Sequence, residues 1–350
     1  MKNIVFLYWQ IMPYQTIVFE KLVKEGFSIH VFYLDKKQQT PFVPPQIENV
    51  FYYKKNPYTS NGLLDFVSKL NPILLVVAGW SDKVYLRIAR HFKRRRNIPV
   101  VSLFDTQFLG RLKQILGIIA SPLYIRTAFT HLWVPGFRQY EFARLLGYKR
   151  NQIIFNSLSG DVELFSSAYP IRMEKEYPKR FLYAGRFSKE KGLDILLEAW
   201  ESIVDKKDWK LTLVGNGPEE QKLKGHKSVE ILPFMDQKKL VELASQSGCF
   251  VLPSTYEPWA LVLQEFSASG LPIICSEACG AMDIFLINGF NGFSFKTFSH
   301  EDLKRKLLLI INRTGQELRV MSANSYKLSK RITPEISAKS VLSLVCEKGC

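Results

Sequence analysis

Two glutamates stand eight residues apart in the second half of the chain, at the ends of the segment EPWALVLQE, as Glu257 and Glu265. The apolar run 249–253 predicts a buried strand before them, and the run 261–268 predicts a helix that ends at Gly270. Glu257 then precedes the helix and Glu265 lies about one turn inside it. Both carboxylates can therefore face one cleft.

The first turn of a helix suits an anion, because its free N–H groups carry partial positive charge. Ionised carboxylates accept hydrogen bonds from hydroxyl groups. A strand-turn-helix junction with a glutamate on either side therefore suits a diphosphate flanked by sugar and ribose hydroxyls, which describes a nucleotide sugar. The alternative is a solvated turn glutamate and an ordinary helix glutamate, since short motifs also match by accident.

A cationic loop opens the same half of the chain. Residues 183–192 read YAGRFSKEKG and precede a helical pattern. Gly185 lets the backbone turn, while Arg186 and Lys191 bring cations to the anion-binding end of that helix. Such charges suit a diphosphate leaving group, which gains negative charge as a glycosidic bond breaks. The alternative is surface cations on a solvated loop.

A glycine turn follows the next predicted strand, in the segment VGNGP at 214–218. Gly215 and Gly217 either end the strand or contact the ligand.

The elements that must position these residues alternate along both halves of the chain. Apolar runs separated by helical patterns indicate βαβ units and parallel sheets. Because 350 residues exceed the usual size of a single core, we expect two doubly wound α/β domains. The predicted strands are 4–8, 29–34, 73–78, 99–104, 132–134, 180–184, 211–214, 229–232, 250–252 and 272–275.

The domain boundary is expected in the segment before the second set of strands. This stretch contains Pro170, Pro178, serines and mixed charges, which is typical of a linker. Ligands of open α/β sheets bind beyond the carboxyl ends of the strands, so two such domains would face each other across a cleft. The predicted divisions are an N-terminal domain at 1–165, a linker at 166–179, a C-terminal domain at 180–330 and a C-terminal helix within 331–350.

The motifs of the second half resemble, in order and spacing, the signature of retaining nucleotide-sugar glycosyltransferases of family four, the glycosyl transferases of group one. The resemblance is strong over residues 183–295 and only architectural before them. It implies the GT-B fold, in which two Rossmann-like domains face a central cleft. The second domain holds most of the donor, and a last helix, here at 334–347, crosses back to the first.

The resemblance also implies roles for individual residues. Arg186 and Lys191 would bind the donor diphosphate, Glu257 would lie near the sugar hydroxyls, and Glu265 would bind the ribose. Phe234 is a candidate neighbour of the base. The predicted donor-binding residues are Gly185, Arg186, Lys191, Gly217, Phe234, Glu257, Trp259, Ala260, Leu261 and Glu265. The predicted catalytic residues are Glu257, Asp105, Arg186 and Lys191.

The family usually uses no metal, so we expect none here and no cofactor, with a UDP-, GDP- or other nucleoside-diphosphate sugar as the donor substrate. Retention implies attack on the same face as the leaving group. Five histidines are scattered without ligand spacing, which also argues against a metal site.

Three positions depart from the family pattern. The loop after the first strand, at 8–14, reads YWQIMPY where the family often has glycines, so we expect acceptor binding to differ. Asp105 stands where many members have a histidine; it either acts in polar contact or proton transfer, or caps a turn. Ala260 replaces a common glycine, which we expect to be a mild change.

Charge is concentrated in the first half of the chain. The total is +16, and residues 1–175 hold 24 Lys and Arg against 11 Asp and Glu. Such a field favours a polyanionic surface, either nucleic acid or an anionic membrane. Six cations lie on and just past one predicted helix, more than helix capping needs. They are Arg87, Arg90, Lys93, Arg94, Arg95 and Arg96.

A second helical segment follows, with an apolar stripe beside further cations. It is either an interfacial element that docks on anionic lipid near a lipid-linked acceptor, or a plain core helix. The stripe is Leu109, Leu112, Leu116, Ile119 and Leu123, and the cations are Arg111, Lys113 and Arg126.

These observations favour a cytoplasmic enzyme at the inner face of the membrane, active in cell-surface polysaccharide assembly. Five cysteines without zinc-like pairs fit a reducing compartment, and no apolar run approaches the about 20 residues that span a bilayer. A basic nucleic-acid-binding protein is supported by charge alone, because no nucleic-acid-reading motif is present. A nicotinamide oxidoreductase would share the sheet but would need a Gly-x-Gly-x-x-Gly turn, which we do not find.

Overall fold

The computed structural model of the protein describes residues 1–34, 42–95, 97–174, 176–223, 225–226 and 228–346. The chain forms two compact units. The first contains Met1–Ser159 and the C-terminal residues from Pro334 onward, and the second contains Gly160–Thr333. Within the described ranges, every helix is too short or too polar to cross a membrane.

The first unit is built on one parallel sheet. Its strands are β1 (Lys2–Tyr8), β2 (Phe27–Tyr33), β3 (Val50–Lys54), β4 (Leu74–Ala78), β5 (Val100–Leu103), β6 (His131–Trp133) and β7 (Ile153–Ile154). They lie in the order β3-β2-β1-β4-β5-β6-β7. The helices are α1 (Pro13–Lys24), α2 (Ser60–Lys69), α3 (Lys83–Arg95), α4 (Leu112–Ala120), α5 (Phe137–Leu145) and the last helix of the chain (Pro334–Cys346).

Both faces of this sheet are covered, which explains why its strands read as continuous apolar runs. In β1, Val5 and Leu7 join the core on one face, whereas Ile4 and Phe6 join the core on the other. The last helix packs against α1 and contributes Val341 to the second of these cores.

The second unit also contains one parallel sheet. Its strands are β8 (Arg180–Ala184), β9 (Lys210–Val214), β10 (Val229–Leu232), β11 (Cys249–Leu252), β12 (Ile273–Ser276) and β13 (Gly292–Phe295), in the order β10-β9-β8-β11-β12-β13. Its helices are α6 (Val162–Ser166), α7 (Ala168–Glu174), α8 (Leu193–Glu201), α9 (Glu220–Leu223), α10 (Gln237–Ser245), α11 (Leu261–Ala268), α12 (Met282–Phe285), α13 (His300–Ile311) and α14 (Gly315–Ser329). The last helix of the chain is then α15.

The strand order of the second sheet brings two distant loops together. β8 pairs in parallel with β9 on one side and with β11 on the other. The loops that follow β8 and β11 therefore leave the same edge of the sheet at neighbouring strands. This is the switch point at which open α/β sheets bind ligands.

The prediction of two doubly wound Rossmann-like domains is confirmed, and all ten predicted strands are present. The strands β3, β7 and β13 were not predicted. β7 has two residues and β13 begins at a glycine, so neither carries a clear apolar pattern.

The prediction of a linker at 166–179 is wrong. The boundary between the units falls after Ser159, and half of the supposed linker is ordered as the helix α7. Pro170 fits there because the first turn of a helix needs few of its N–H groups. The helix is fixed by a buried arginine, Arg172, whose guanidinium donates to the backbone carbonyls of Ser247 and Ser269.

The predicted C-terminal segment 331–350 is also divided differently. Residues 331–333 belong to the second unit, and α15 belongs to the first. Residues 347–350 lie outside the described part of the chain.

The second unit begins and ends beside the side chain of Gln264, which is completely buried in α11. Its Oε1 accepts a hydrogen bond from the N–H of Gly160 at 2.8 Å. Its Nε2 donates to the carbonyls of Ser329, at 3.0 Å, and Ile332. One amide group therefore joins α11 to the first and last segments of the unit.

Candidate active site

The loop after β8 is fixed by contacts with the loop after β9. The Tyr183 hydroxyl donates to the Arg186 carbonyl at 2.8 Å, and the Phe187 N–H donates to the Asn216 carbonyl at 2.8 Å. A Cβ atom on Gly217 would lie 2.4 Å from the Phe187 carbonyl oxygen. The glycine therefore permits close backbone contact, and this contact holds Arg186 at an exposed position beyond the sheet.

Lys191 and Glu257 meet where the loops after β8 and β11 converge. The Lys191 Nζ lies 2.5 Å from the Glu257 Oε2, and Ser254 donates to the same oxygen at 3.3 Å. The side chains of Lys191 and Glu257 are 21% and 13% exposed. Gly192 makes this approach possible, since its Cβ would lie 2.3 Å from the Pro253 carbonyl oxygen.

The backbone around Glu257 is held by the segment after β12. Gly280 donates its N–H to the Glu257 carbonyl at 3.0 Å, and Ala281 donates to the Trp259 carbonyl at 2.9 Å. The Trp259 side chain is buried and packs edge-to-face on Phe285. The Trp259 ring therefore anchors the loop that precedes α11 in the core of the unit.

Ala260 is the residue that turns the chain into α11. Its backbone has φ 85° and ψ 83°, in the left-handed region that L residues other than glycine rarely adopt. The expectation that alanine is a mild change at this position is wrong, because the methyl group strains the turn. The free N–H groups of the first turn of α11, beginning at Leu261, follow directly.

Glu265 lies one turn into α11 and is 7% exposed. Its Oε1 accepts a hydrogen bond from the Gln237 Nε2 at 3.3 Å, and its carboxyl group also accepts one from the Asp161 N–H. Burial, reinforced by the nearby Asp161 carboxylate, raises the pKa of Glu265 to about 7. Sequence reasoning identified Glu265 but missed Gln237 and Asp161, whose only signal is that each lies at the start of a helix.

All ten predicted donor-binding residues lie in the second unit. Gly185, Arg186, Lys191, Gly217, Glu257, Trp259, Ala260, Leu261 and Glu265 lie on the loops after β8, β9 and β11 or at the start of α11. Phe234 lies two residues beyond the end of β10 and is 53% exposed. Among the residues of the described ranges, no group of three or more His, Cys, Asp or Glu side chains could hold a metal ion.

Asp105 lies in the first unit, just beyond the end of β5. Its carbonyl accepts a hydrogen bond from the Gln139 side chain at 3.1 Å, and its carboxylate accepts one from its own N–H. Although Asp105 is exposed, the protein around its carboxyl group partly desolvates it and raises its pKa. The predicted catalytic role of Asp105 stays a prediction.

The basic helix α3 is partly used for internal contacts. Arg90 donates to the Tyr124 carbonyl at 3.2 Å, and Lys93 donates to the Phe129 carbonyl at 2.9 Å. Arg94 and Arg95 at the end of α3 are exposed, whereas Arg96 lies outside the described residues. Fewer than the six predicted cations are therefore available to a partner.

The helix α4 is not a core helix, because none of its residues is buried. Arg111, Lys113 and Arg126 beside the apolar stripe are also exposed. We call this surface the α4 face. Its apolar members are Leu109 (42% exposed), Leu112 (71%), Leu116 (55%), Ile119 (71%) and Leu123 (83%).

Comparison with known proteins agrees with this geometry. A model of the family "Glycosyl transferases group 1" matches residues 170–328. An uncharacterized glycosyltransferase of Methanocaldococcus jannaschii is 28% identical over 196 residues, which cover 54% of each chain. The chain thus spans about half the length of this relative. Among the structures, HepE of Anabaena in complex with UDP superposes with a TM-score of 0.74 at 16% identity, covering 99% of both chains.

A second relative aligns over most of the chain. The N,N'-diacetylbacillosaminyl-diphospho-undecaprenol alpha-1,3-N-acetylgalactosaminyltransferase of Campylobacter jejuni is 25% identical over 354 residues, covering 93% of this chain and 87% of the relative. The motifs that carried the resemblance, within residues 183–295, lie inside the region matched by the family model. The fold of HepE agrees with that of this protein over 99% of the chain. Residues 170–328, which hold the loops after β8, β9 and β11, are thus the part of the chain that matches the glycosyl transferases group 1 family.

Proposed function

We propose that the protein is a retaining, metal-independent glycosyltransferase that moves a sugar from a nucleoside-diphosphate sugar to a glycan or lipid-linked acceptor. The observation that carries this proposal is the contact between Lys191 and Glu257 beside the first turn of α11. A cation for phosphate and a carboxylate for hydroxyl groups meet there at the switch point of a parallel sheet. HepE, which has the same fold, binds UDP in its crystal structure.

Each part of the donor has a complementary group in the second unit. The diphosphate would lie between Arg186, Lys191 and the N–H groups that begin α11. Glu257 would bind the hydroxyls of the sugar, and Glu265 those of the ribose. The exposed ring of Phe234 would lie beside the base.

In the proposed reaction, the bond between the sugar and the diphosphate breaks and its electron pair goes to the phosphate oxygen. The acceptor hydroxyl oxygen forms the new bond on the same face of the sugar, and its proton goes to the leaving diphosphate. Arg186 and Lys191 stabilise the charge that develops there. Asp105 would either contact the acceptor or receive its proton on the way.

The direct test is product analysis. The purified protein is incubated with a panel of UDP-, GDP- and ADP-sugars and with lipid-linked and free glycan acceptors, and the products are identified by mass and anomeric configuration. We expect transfer from one nucleotide class without added metal, and a thermal shift with the matching nucleoside diphosphate. Stabilisation by a nicotinamide nucleotide or by nucleic acid instead would contradict the proposal.

We further propose that the α4 face docks the enzyme on the anionic inner leaflet of the membrane, where it acts in cell-surface polysaccharide assembly. Exposed leucines beside Arg111, Lys113 and Arg126 suit the interface between headgroups and acyl chains. The Campylobacter relative is named for a diphospho-undecaprenol acceptor, which is a membrane lipid.

Flotation with phosphatidylglycerol vesicles tests this docking. At about 1 kcal/mol for each basic residue near the surface, replacing Arg111 and Lys113 with glutamine should weaken binding by about 30-fold. Replacing Leu112 and Ile119 with serine should also release the protein. The matched controls are Lys238→Gln with Lys239→Gln, and Val204→Ser with Val320→Ser, which change exposed residues elsewhere. The docking proposal would be overturned if vesicle binding changed neither with the vesicle charge nor with the substitutions in the α4 face.

A further inference from the structure

The carboxyl group of Glu265 lies beside two residues from different parts of the second unit, Gln237 and Asp161. Gln237, the first residue of α10, donates its Nε2 to Glu265 Oε1 at 3.3 Å. Asp161 donates its backbone N–H to the same carboxyl group. The carboxylate of Asp161 caps α6 by accepting from the Leu164 N–H at 3.0 Å, and this negative charge lies close to Glu265.

Binding a ribose requires Glu265 to accept hydrogen bonds from two neighbouring hydroxyls. An ionised carboxylate offers two acceptor oxygens, whereas a protonated one also carries a donor that competes with the ribose. Burial and the Asp161 carboxylate disfavour the ionised form, while the Gln237 amide and the Asp161 N–H favour it. These opposing influences place the pKa of Glu265 at about 7.

The other elements packed against α11 present uncharged buried side chains to it. These elements are β11, α12 and α14. Their buried residues are apolar or serine, apart from Cys249 in β11, whose pKa is raised by burial so that its thiol stays uncharged. On α6, Glu163 is exposed. Asp161 and Gln237 are therefore the groups of the described structure that decide how readily Glu265 ionises.

We propose that Gln237 is a positioning residue for nucleotide binding, which orients the Glu265 carboxylate toward the ribose hydroxyls and offsets the negative charge of Asp161. This inference rests on the proposed donor-binding function of Glu265. It makes ribose recognition proton-coupled, because donor binding selects the ionised carboxylate. Gln237 favours that state and Asp161 opposes it.

The experiment compares two ligands, UDP and 2′,3′-dideoxy-UDP, by calorimetry between pH 5.5 and 9. The ratio of their dissociation constants isolates the ribose hydroxyls, because ionisation of the diphosphate affects both ligands equally. In the unaltered protein, the preference for UDP should rise with pH through a midpoint near 7. The guanosine pair replaces the uridine pair if the protein binds GDP rather than UDP.

Two variants should move this midpoint in opposite directions. Gln237→Leu removes the donor and should raise the midpoint by about one pH unit, which lowers the preference for UDP about fivefold at pH 7 and restores it at pH 9. Asp161→Asn keeps an N-cap oxygen but removes the charge, so it should lower the midpoint. Gln246→Leu, an exposed glutamine at the end of the same helix, is the matched control and should leave the midpoint unchanged.

A structural role alone would not produce shifts of opposite sign in two folded variants. Equal midpoints in the unaltered protein, Gln237→Leu and Asp161→Asn would overturn the inference while leaving the proposed function intact. If the unaltered protein binds no nucleoside diphosphate, it is the proposed function that fails. Should Gln237→Leu not fold, Gln237→Ala removes the same donor with a smaller side chain and should raise the midpoint in the same direction.

Discussion

The ammonium group of Lys191 and the carboxylate of Glu257 form an ion pair at 2.5 Å, although they come from loops 66 residues apart. In the protein without a bound donor, each of these two side chains neutralises the charge of the other. In this state Lys191 offsets a charge that would otherwise be unpaired and largely removed from water. When a diphosphate binds, Lys191 can contact it without leaving Glu257, because an ammonium group has three donors.

Stability and activity should separate in variants of this pair. Lys191→Met should lower the unfolding free energy by about 1–2 kcal/mol, because Glu257 loses its partner. Adding Glu257→Gln should restore most of that loss. The rate of sugar transfer from the donor should fall about 100-fold in Lys191→Met and in Glu257→Gln alone, and it should stay low in the double variant. Urea denaturation and steady-state kinetics measure the two effects, and a double variant as unstable as Lys191→Met would refute the pairing.

Removing the methyl group of Ala260 should stabilise the protein. Glycine adopts φ 85° without strain, so Ala260→Gly should gain about 1 kcal/mol in unfolding free energy. The control is Ala323→Gly within α14, which has ordinary helical geometry and should lose about 1 kcal/mol. Thermal unfolding of Ala260→Gly and Ala323→Gly measures both changes in stability. A loss of stability in Ala260→Gly would mean that the methyl contacts outweigh the strain.

Replacing Glu265 with glutamine should raise stability and weaken nucleotide binding. The pKa of this carboxyl group is raised from its ordinary 4.5 to about 7 in the folded state. The folded protein therefore holds the proton more tightly, and stability should fall as pH rises from about 4.5 to about 7. Glu265→Gln should remove this part of the pH dependence and gain up to about 3 kcal/mol above pH 7. Chemical denaturation of the unaltered protein and of Glu265→Gln across this pH range measures the effect. The prediction fails if the unfolding free energy depends on pH in the same way in both proteins.

Arg172 should be among the most costly residues to replace in the second unit. It is 1% exposed and donates to carbonyls at the ends of α10 and α11 as well as to the Tyr177 hydroxyl. Arg172→Leu should lower the unfolding free energy by about 3 kcal/mol or more, because several buried acceptors lose their donor. Arg305→Leu should cost less than about 1 kcal/mol, because the Arg305 side chain is 70% exposed and its partner Asp302 keeps a second cation, Lys306. Similar urea midpoints for the two variants would show that Arg172 is dispensable.

The sequence was sufficient to predict the two sheets, because strands buried on both faces are continuous apolar runs such as 4–8 and 249–252. Glu257, Glu265, Arg186 and Lys191 could be found because their types and spacing are local. Gln237 could not be identified from the sequence, because it contacts a residue 28 positions away and its neighbours in the sequence give no sign of that contact.

The wrong linker prediction at 166–179 and the open alternatives for α4 also arise from contacts between residues far apart in the sequence. The segment around Pro170 has the composition of a linker, but the buried hydrogen bonds of Arg172 and the stacking of Tyr169 on Tyr326 join it to the second unit as a helix. For α4, the apolar stripe was visible, but periodicity cannot tell whether a partner covers the stripe. The exposure of Leu112 and Ile119 rules out the core helix, whereas docking of the stripe on lipid stays a proposal.

The hydrogen bonds of Gln264 have a consequence for engineering the second unit of the protein. Since one amide group contacts both Gly160 and Ile332, the two ends of a fragment cut at these positions would emerge side by side. A short peptide could then join them, and new termini could be opened in a distant loop, giving a circular permutant that retains every strand pairing of this sheet.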